Sequence, residues 1–203
     1  VRLLIFLLAL SIVNPLIAAE DTAPATLAQS AITNFTNNPE PIKKILSFAL
    51  DLTTKNLHYQ FGSADPKTQG MDCSGTVYYI LNSVGVHDVP RSSDLQYVWA
   101  KEKGHFHFVN SIDIKSTDFK QLKPGDLLFW SGTYDTKRAT DVSHVMLYLG
   151  TNSQGEPLMV GASNGRTYKG RRIYGVSVFD FQLPEKGSNS KFLGYSCIPT
   201  VSC

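Results

Sequence analysis

Apolar positions recur at helical spacing through the first half of the chain and at alternating spacing through the second, and this change of period divides the sequence. In IKKILSFALDLTTKNL, which follows Pro41, Ile42, Ile45, Leu46, Ala49 and Leu52 share one face of a predicted helix, and Pro41 opens it where a missing N–H costs nothing. A second periodic stretch, GMDCSGTVYYILNSVG at residues 70–85, places Val77, Ile80, Leu81 and Val84 on one face, with Asp72 as N-cap and Gly85 as terminator. A shorter helix follows Pro90, capped by Ser92 or Ser93 and carrying Leu95, Val98 and Trp99. From residue 105 the pattern alternates. Phe106 and Phe108 oppose His105 and His107, LKPGDLLFW (122–130) reads as a turn feeding a buried strand, and DVSHVMLYLG, PLMVGAS and GVSVFDF add three more strands. Short turns between these strands imply an antiparallel sheet, and helices preceding strands make the class α+β.

The ends of the chain read differently. RLLIFLLALSIVNPLIAA has one basic residue, an apolar run broken at Asn14-Pro15 and small residues at Ala18 and Ala19, the pattern of a signal peptide over residues 1–19. Residues 20–41 have the Thr, Ala, Asn and Pro content of a flexible leader, with room for a short helix around residues 27–35. Residues 42–183 form the expected domain, and 184–203 a C-terminal extension. A periplasmic or secreted monomer is expected, with no transmembrane segment after cleavage. The chain of 203 residues, 42% hydrophobic and of net charge +2, is long enough for one well-buried core and lacks the basic footprint of nucleic-acid binding.

Three cysteines carry the candidate chemistry. Cys73 falls in the first turn of the second helix, where unpaired N–H groups and the helix dipole favour a thiolate and lower the pKa toward neutrality. Gly75, a poor residue inside a helix, predicts close approach of another backbone or a ligand. Cys197 and Cys203 could close a small loop in an oxidising compartment, although the sequence leaves open whether Cys73 pairs with one of them. His105 and His107 have metal-compatible spacing, but no Cys, Asp or Glu shares their face, so a solvated strand face is expected and no metal or cofactor is called for. His144, at the start of a strand, is the candidate base for a Cys73 nucleophile.

The ordered set YQFG, GMDCSGTVYYI, VPRSS, LKPGDLLFW and SHVMLYLG resembles the NlpC-type family of bacterial cell-wall cysteine endopeptidases, over roughly residues 42–181. The second cysteine and aromatic residue that flank the nucleophile of larger papain-type proteases are absent. The resemblance implies a compact papain-like domain, its nucleophile helix packed on an antiparallel sheet, that hydrolyses an amide bond in peptidoglycan stem peptides, within the family most often the γ-D-glutamyl-diamino acid bond. It matches Cys73 to the nucleophile and His144 to the base that later protonates the leaving amine. Tyr59 matches a residue lining the site near the oxyanion, Asp72 and Ser74 match positions that help hold the free amine end of the stem peptide, and Arg91 and Ser92 match a segment bordering the groove.

One position departs from the family pattern. The residue expected to orient the imidazole from the following strand is Gly161, which has no side chain for the task. Ser163 shares its face by alternation and Asn164 lies one step further, so either, a water or a carbonyl could take the role. The glycine also keeps two other readings open: a non-catalytic wall-binding or regulatory module on this fold, and amidase or acyl-transfer chemistry on another substrate.

Overall fold

A computed structural model describes residues 23–203. The signal peptide expected at residues 1–19 lies outside the described residues. Three α-helices, α1 (Glu40–Thr53), α2 (Cys73–Ser83) and α3 (Ser93–Lys103), precede most of the strands. A six-stranded antiparallel sheet runs in the order β3 (Phe106–Phe108), β8 (Lys191–Ser196), β4 (Leu127–Ser131), β5 (Val142–Thr151), β6 (Pro157–Tyr168) and β7 (Arg171–Asp180). A separate parallel pair joins β1 (His58–Tyr59) to β2 (Gly70–Met71). This is the α+β arrangement that the change of period predicts.

The helices cover the sheet from one side. α1 buries Ile42, Ile45, Leu46, Ala49 and Leu52 against β6, β7 and α2, while α2 packs on β5 and β6 through Val77, Ile80 and Leu81. Alternation along β4 puts Phe129 against Tyr97 of α3 at 5.6 Å. It turns Trp130 the other way, toward Phe192 at 4.9 Å and Phe181 at 6.0 Å. With apolar partners on both sides, β4 and the first nine residues of β5 are buried throughout.

The described part of the leader, from residue 23, and the C-terminal extension are more structured than expected. The leader contributes Ala25, Ile32 and Phe35 to the core, and the Ala25 carbonyl accepts from the Val178 N–H at 2.9 Å. Three large or apolar side chains with somewhere to pack outweigh a composition that otherwise reads as linker. The C-terminal extension is likewise no appendage: β8 lies between β3 and β4, and Tyr195 is fully buried. Cys197 and Cys203 are joined by a disulfide across 5.3 Å between Cα atoms, leaving Cys73 as the free cysteine. His107 stacks on Tyr195 at 4.9 Å, so that face of β3 is partly occupied rather than wholly solvated.

Close backbone approaches position the parts that matter for chemistry. A Cβ on Gly175 would come within 2.2 Å of the Leu57 carbonyl oxygen, which accepts from the Val176 N–H at 3.0 Å, so β1 and Tyr59 are drawn onto β7. A Cβ on Gly75 would meet the Ser63 carbonyl oxygen at 2.1 Å, and that oxygen accepts from the Asp72 N–H at 3.0 Å. The loop at residues 60–69 can therefore press on the head of α2 only if residue 75 is glycine. Gly75→Ala would gain about 1 kcal/mol in helix propensity and still lose stability overall, by about 1–3 kcal/mol. Urea unfolding measures this; an alanine variant as stable as the parent would contradict the close approach.

Candidate active site

Asp72 terminates the backbone before α2 in an extended conformation and caps it. Its Oδ1 accepts from the Gly75 N–H at 2.6 Å and its Oδ2 from the Gly62 N–H at 2.7 Å. Arg91 grips the same carboxylate from the other side, with Nη1 on Oδ1 at 3.0 Å and Nη2 on Oδ2 at 2.9 Å, and also donates to Ser74 Oγ at 3.1 Å. Asp72, Ser74 and Arg91, expected as substrate contacts, thus bond one another directly beside Cys73. Ser92 occupies the N-cap position of α3 without a side-chain cap bond.

Cys73 follows directly and is 4% exposed. Its sulfur meets the backbone N–H groups of Val145 and Ser74, which ties the head of α2 to β5 one residue beyond His144. Burial pushes the thiol up to about 11, and the Asp72 carboxylate adds to the effect, while the two N–H groups and Arg91 oppose it. The expected fall toward neutrality is therefore reversed. The physical reason is burial first, which strips water from the sulfur; the capping carboxylate, which already takes the Gly75 N–H, adds a negative charge beside it that opposes the helix-end field.

His144 lies opposite Trp130 in the β4–β5 ladder and is 6% exposed. Burial, reinforced by the charge of Arg166, holds its pKa well below the usual imidazole value. Arg166 Nε donates to His144 Nε2 at 3.2 Å, and the guanidinium lies 4.2 Å from the centre of the Trp130 ring. A guanidinium can only donate, so Nε2 is the acceptor and the neutral ring carries its proton on Nδ1. Burial also lowers Arg166 itself, to about 10, with the Cys73 charge acting in the opposite sense.

The imidazole partner is thus neither Ser163 nor Asn164, although both line the groove with His144. A side chain at position 161 would have to displace Met146, because its Cβ would meet Met146 Sδ at 2.7 Å. The ladder between β6 and β7 shifts between Asn164 and Arg166, with Gly165 as the extra residue at φ +103°. This bulge reverses the parity of the strand, so Arg166 joins the face of Gly161 and Ser163, which strict alternation assigns to residue 165. A glycine interrupting a strand pattern was the available signal.

The groove is about 970 Å³ and is walled by Tyr59, Phe61, Tyr134, His144 and Arg166 among others. Tyr134, in the loop between β4 and β5, was not singled out by sequence. It contacts Phe61 edge-on at 5.7 Å, and Arg138 of the same loop holds Asp94 at 3.1 Å. Burial, with Cys73 and Asp72 adding, drives the Tyr59 pKa far above its ordinary value, so it remains a hydroxyl donor. A second, smaller cleft of about 820 Å³ between the 27–36 segment and α1 contains none of these groups. Among the described residues no cluster of metal-ligating side chains occurs, and no helix is long and apolar enough to cross a membrane.

Residues 56–174 match the family model described as the NlpC/P60 family. The chain belongs to the NlpC/P60 family. Two Bacillus subtilis (strain 168) proteins are similar to it. One is the bifunctional muramidase/DL-endopeptidase CwlT, 29% identical over 118 residues, covering 56% of this chain and 30% of that protein. The other is a gamma-DL-glutamyl hydrolase, 30% identical over 93 residues, covering 45% of this chain and 18% of that protein. The chain thus spans less than a third of the length of either relative. A solved structure from Staphylococcus aureus subsp. aureus Mu50, described as similar to lipoprotein, NLP/P60 family, superposes with a TM-score of 0.53 at 22% identity, over 88% of this chain and 45% of that one. That likeness supports the papain-like fold.

With the thiol pushed well above neutrality by burial, Cys73 is overwhelmingly protonated at pH 7. In the free NlpC/P60 domain, alkylation by iodoacetamide should accelerate steadily through pH 9 instead of levelling off near neutrality. Asp72→Asn removes the adjacent negative charge and should move the midpoint downward. A wild-type plateau at pH 7 would contradict the neutral resting thiol.

Proposed function

We propose that this chain is an exported cysteine endopeptidase of the bacterial cell wall that hydrolyses the γ-D-glutamyl-diamino acid bond of peptidoglycan stem peptides. The observation that carries the reading is the seating of the Cys73 sulfur at the head of α2 against the N–H of Val145, the residue next to His144, which itself lines the groove. The family and the names of the two relatives supply the substrate class. The expected signal sequence supplies the route to the wall.

The resting pair is neutral, thiol beside imidazole. As the substrate carbonyl approaches, the S–H bond breaks, His144 takes the proton and sulfur bonds the carbonyl carbon. The ring presents Nδ1–H while Arg166 occupies Nε2, so the proton transfer requires the Arg166 bond to open or the ring proton to relocate. The oxyanion is received by the Cys73 N–H at the head of α2 and by the Tyr59 hydroxyl, which stays protonated throughout. Imidazolium then protonates the leaving amine, the C–N bond breaks, and water attacks the remaining thioester with His144 again as base.

The low exposure of Cys73 and its raised pKa favour one competing reading, a wall-binding module without turnover. Mass spectrometry of muropeptides incubated with the protein and with Cys73→Ala separates the two. The endopeptidase reading predicts a new stem-peptide fragment from the unaltered protein and at least a thousandfold less from the alanine variant, on the order of losses seen when a nucleophile is removed. Equal cleavage by both, or none by the unaltered protein at a retained fold, would overturn it.

A further inference from the structure

The guanidinium of Arg166 is used on one side only. Nε is engaged with His144 Nε2 and the plane rests on Trp130, but no hydrogen bond from either Nη atom and no carboxylate within ion-pair distance occurs among the described residues. The acids on the same groove wall are committed elsewhere or apart: Asp180 accepts from the Lys169 N–H at 2.8 Å, and Glu185 does not pair with Arg166. A half-buried cation without an anion is costly, and the fork of an arginine fits a carboxylate through two parallel bonds.

We propose that Arg166 is a specificity residue whose free Nη edge receives a carboxylate of the substrate, and that this group is the free α-carboxylate of the γ-linked glutamyl residue. The inference rests on the endopeptidase reading. A γ-linkage sends the chain through the glutamyl side chain, so the α-carboxylate remains ionised a few bonds from the carbonyl that Cys73 attacks, on the acyl side of the scissile bond. Arg166 sits on that scale, touching the imidazole and electrostatically coupled to the Cys73 sulfur. An α-carboxamide would offer the fork one acceptor oxygen and turn its N–H groups toward the other Nη, losing one of the two parallel bonds and leaving the guanidinium charge uncompensated. Substrate binding through the Nη edge would also draw on the Nε contact to His144, coupling occupancy of the groove to the position of the base.

The test compares hydrolysis of L-alanyl-γ-D-glutamyl-diamino acid peptides bearing a free α-carboxylate or an α-carboxamide, by the unaltered protein, Arg166→Lys and Arg166→Ala. The expected ratio of kcat/KM, acid over amide, is at least about tenfold for the unaltered protein, smaller for lysine, and within about threefold of unity for alanine. A merely structural Arg166 would lower both substrates together, and a ratio unchanged in Arg166→Ala overturns the proposal. Circular dichroism checks the fold, with Arg166→Lys as the variant that retains the charge. If the unaltered protein cleaves neither peptide, the endopeptidase reading fails by itself. Alkylation then decides the anion site: preference of Cys73 for iodoacetate over iodoacetamide, relative to free cysteine, should fall severalfold in Arg166→Ala, and an unchanged preference overturns it.

Discussion

The carboxylate of Asp72 is where three segments of the chain meet, and the candidate active site depends on it. It closes the first turn of α2 through Gly75, holds the incoming loop through Gly62 and anchors the segment before α3 through Arg91. A buried carboxylate is tolerated only because every lone pair facing the protein has a donor. Those contacts set the direction in which α2 begins, and Cys73 is the next residue. Burial keeps the thiol protonated at rest, and the same carboxylate charge adds to that effect.

A second constraint is the bulge in β6. Without the extra residue at Gly165, Arg166 would point away from the face that carries Ser163, and the imidazole of His144 would lack its partner. Met146 fills the space that a side chain at position 161 would need, so the pairing has moved along the strand and changed sign. An acceptor beside an imidazole stabilises its protonated form; a guanidinium stabilises the neutral one. Together with Asp72, this gives a site that is neutral at both reacting groups before substrate arrives.

Much of the scaffold was legible in the sequence. The helices announce themselves because each buries one stripe, and Gly75 is meaningful because a glycine inside such a stripe has to be explained by a close neighbour. The strands β4 to β7 follow from alternation between strong turns. β8 was not legible as part of the core: Phe192, Gly194 and Tyr195 form a short weak pattern whose value comes only from pairing with β3 and β4, far away in sequence. The ordered leader was hidden in the same way, since Ala25, Ile32 and Phe35 are sparse until the surface they cover is known. At the site, Cys73, His144 and Tyr59 were accessible from order and residue type. Arg166 was not, because a bulge changes strand parity, and Tyr134 was not, because an irregular loop has no period to read.

The central claim is that the Cys73 sulfur forms the bond to the substrate carbonyl. The most direct measurement is intact-protein and peptide mass spectrometry of the full chain, acid-quenched during turnover of a stem peptide. A thioester-linked alanyl-glutamyl acyl group on Cys73 is expected, and it should disappear as substrate is exhausted. Product formation with an acyl group on another residue, or with cleavage persisting after Cys73 is blocked, would contradict it.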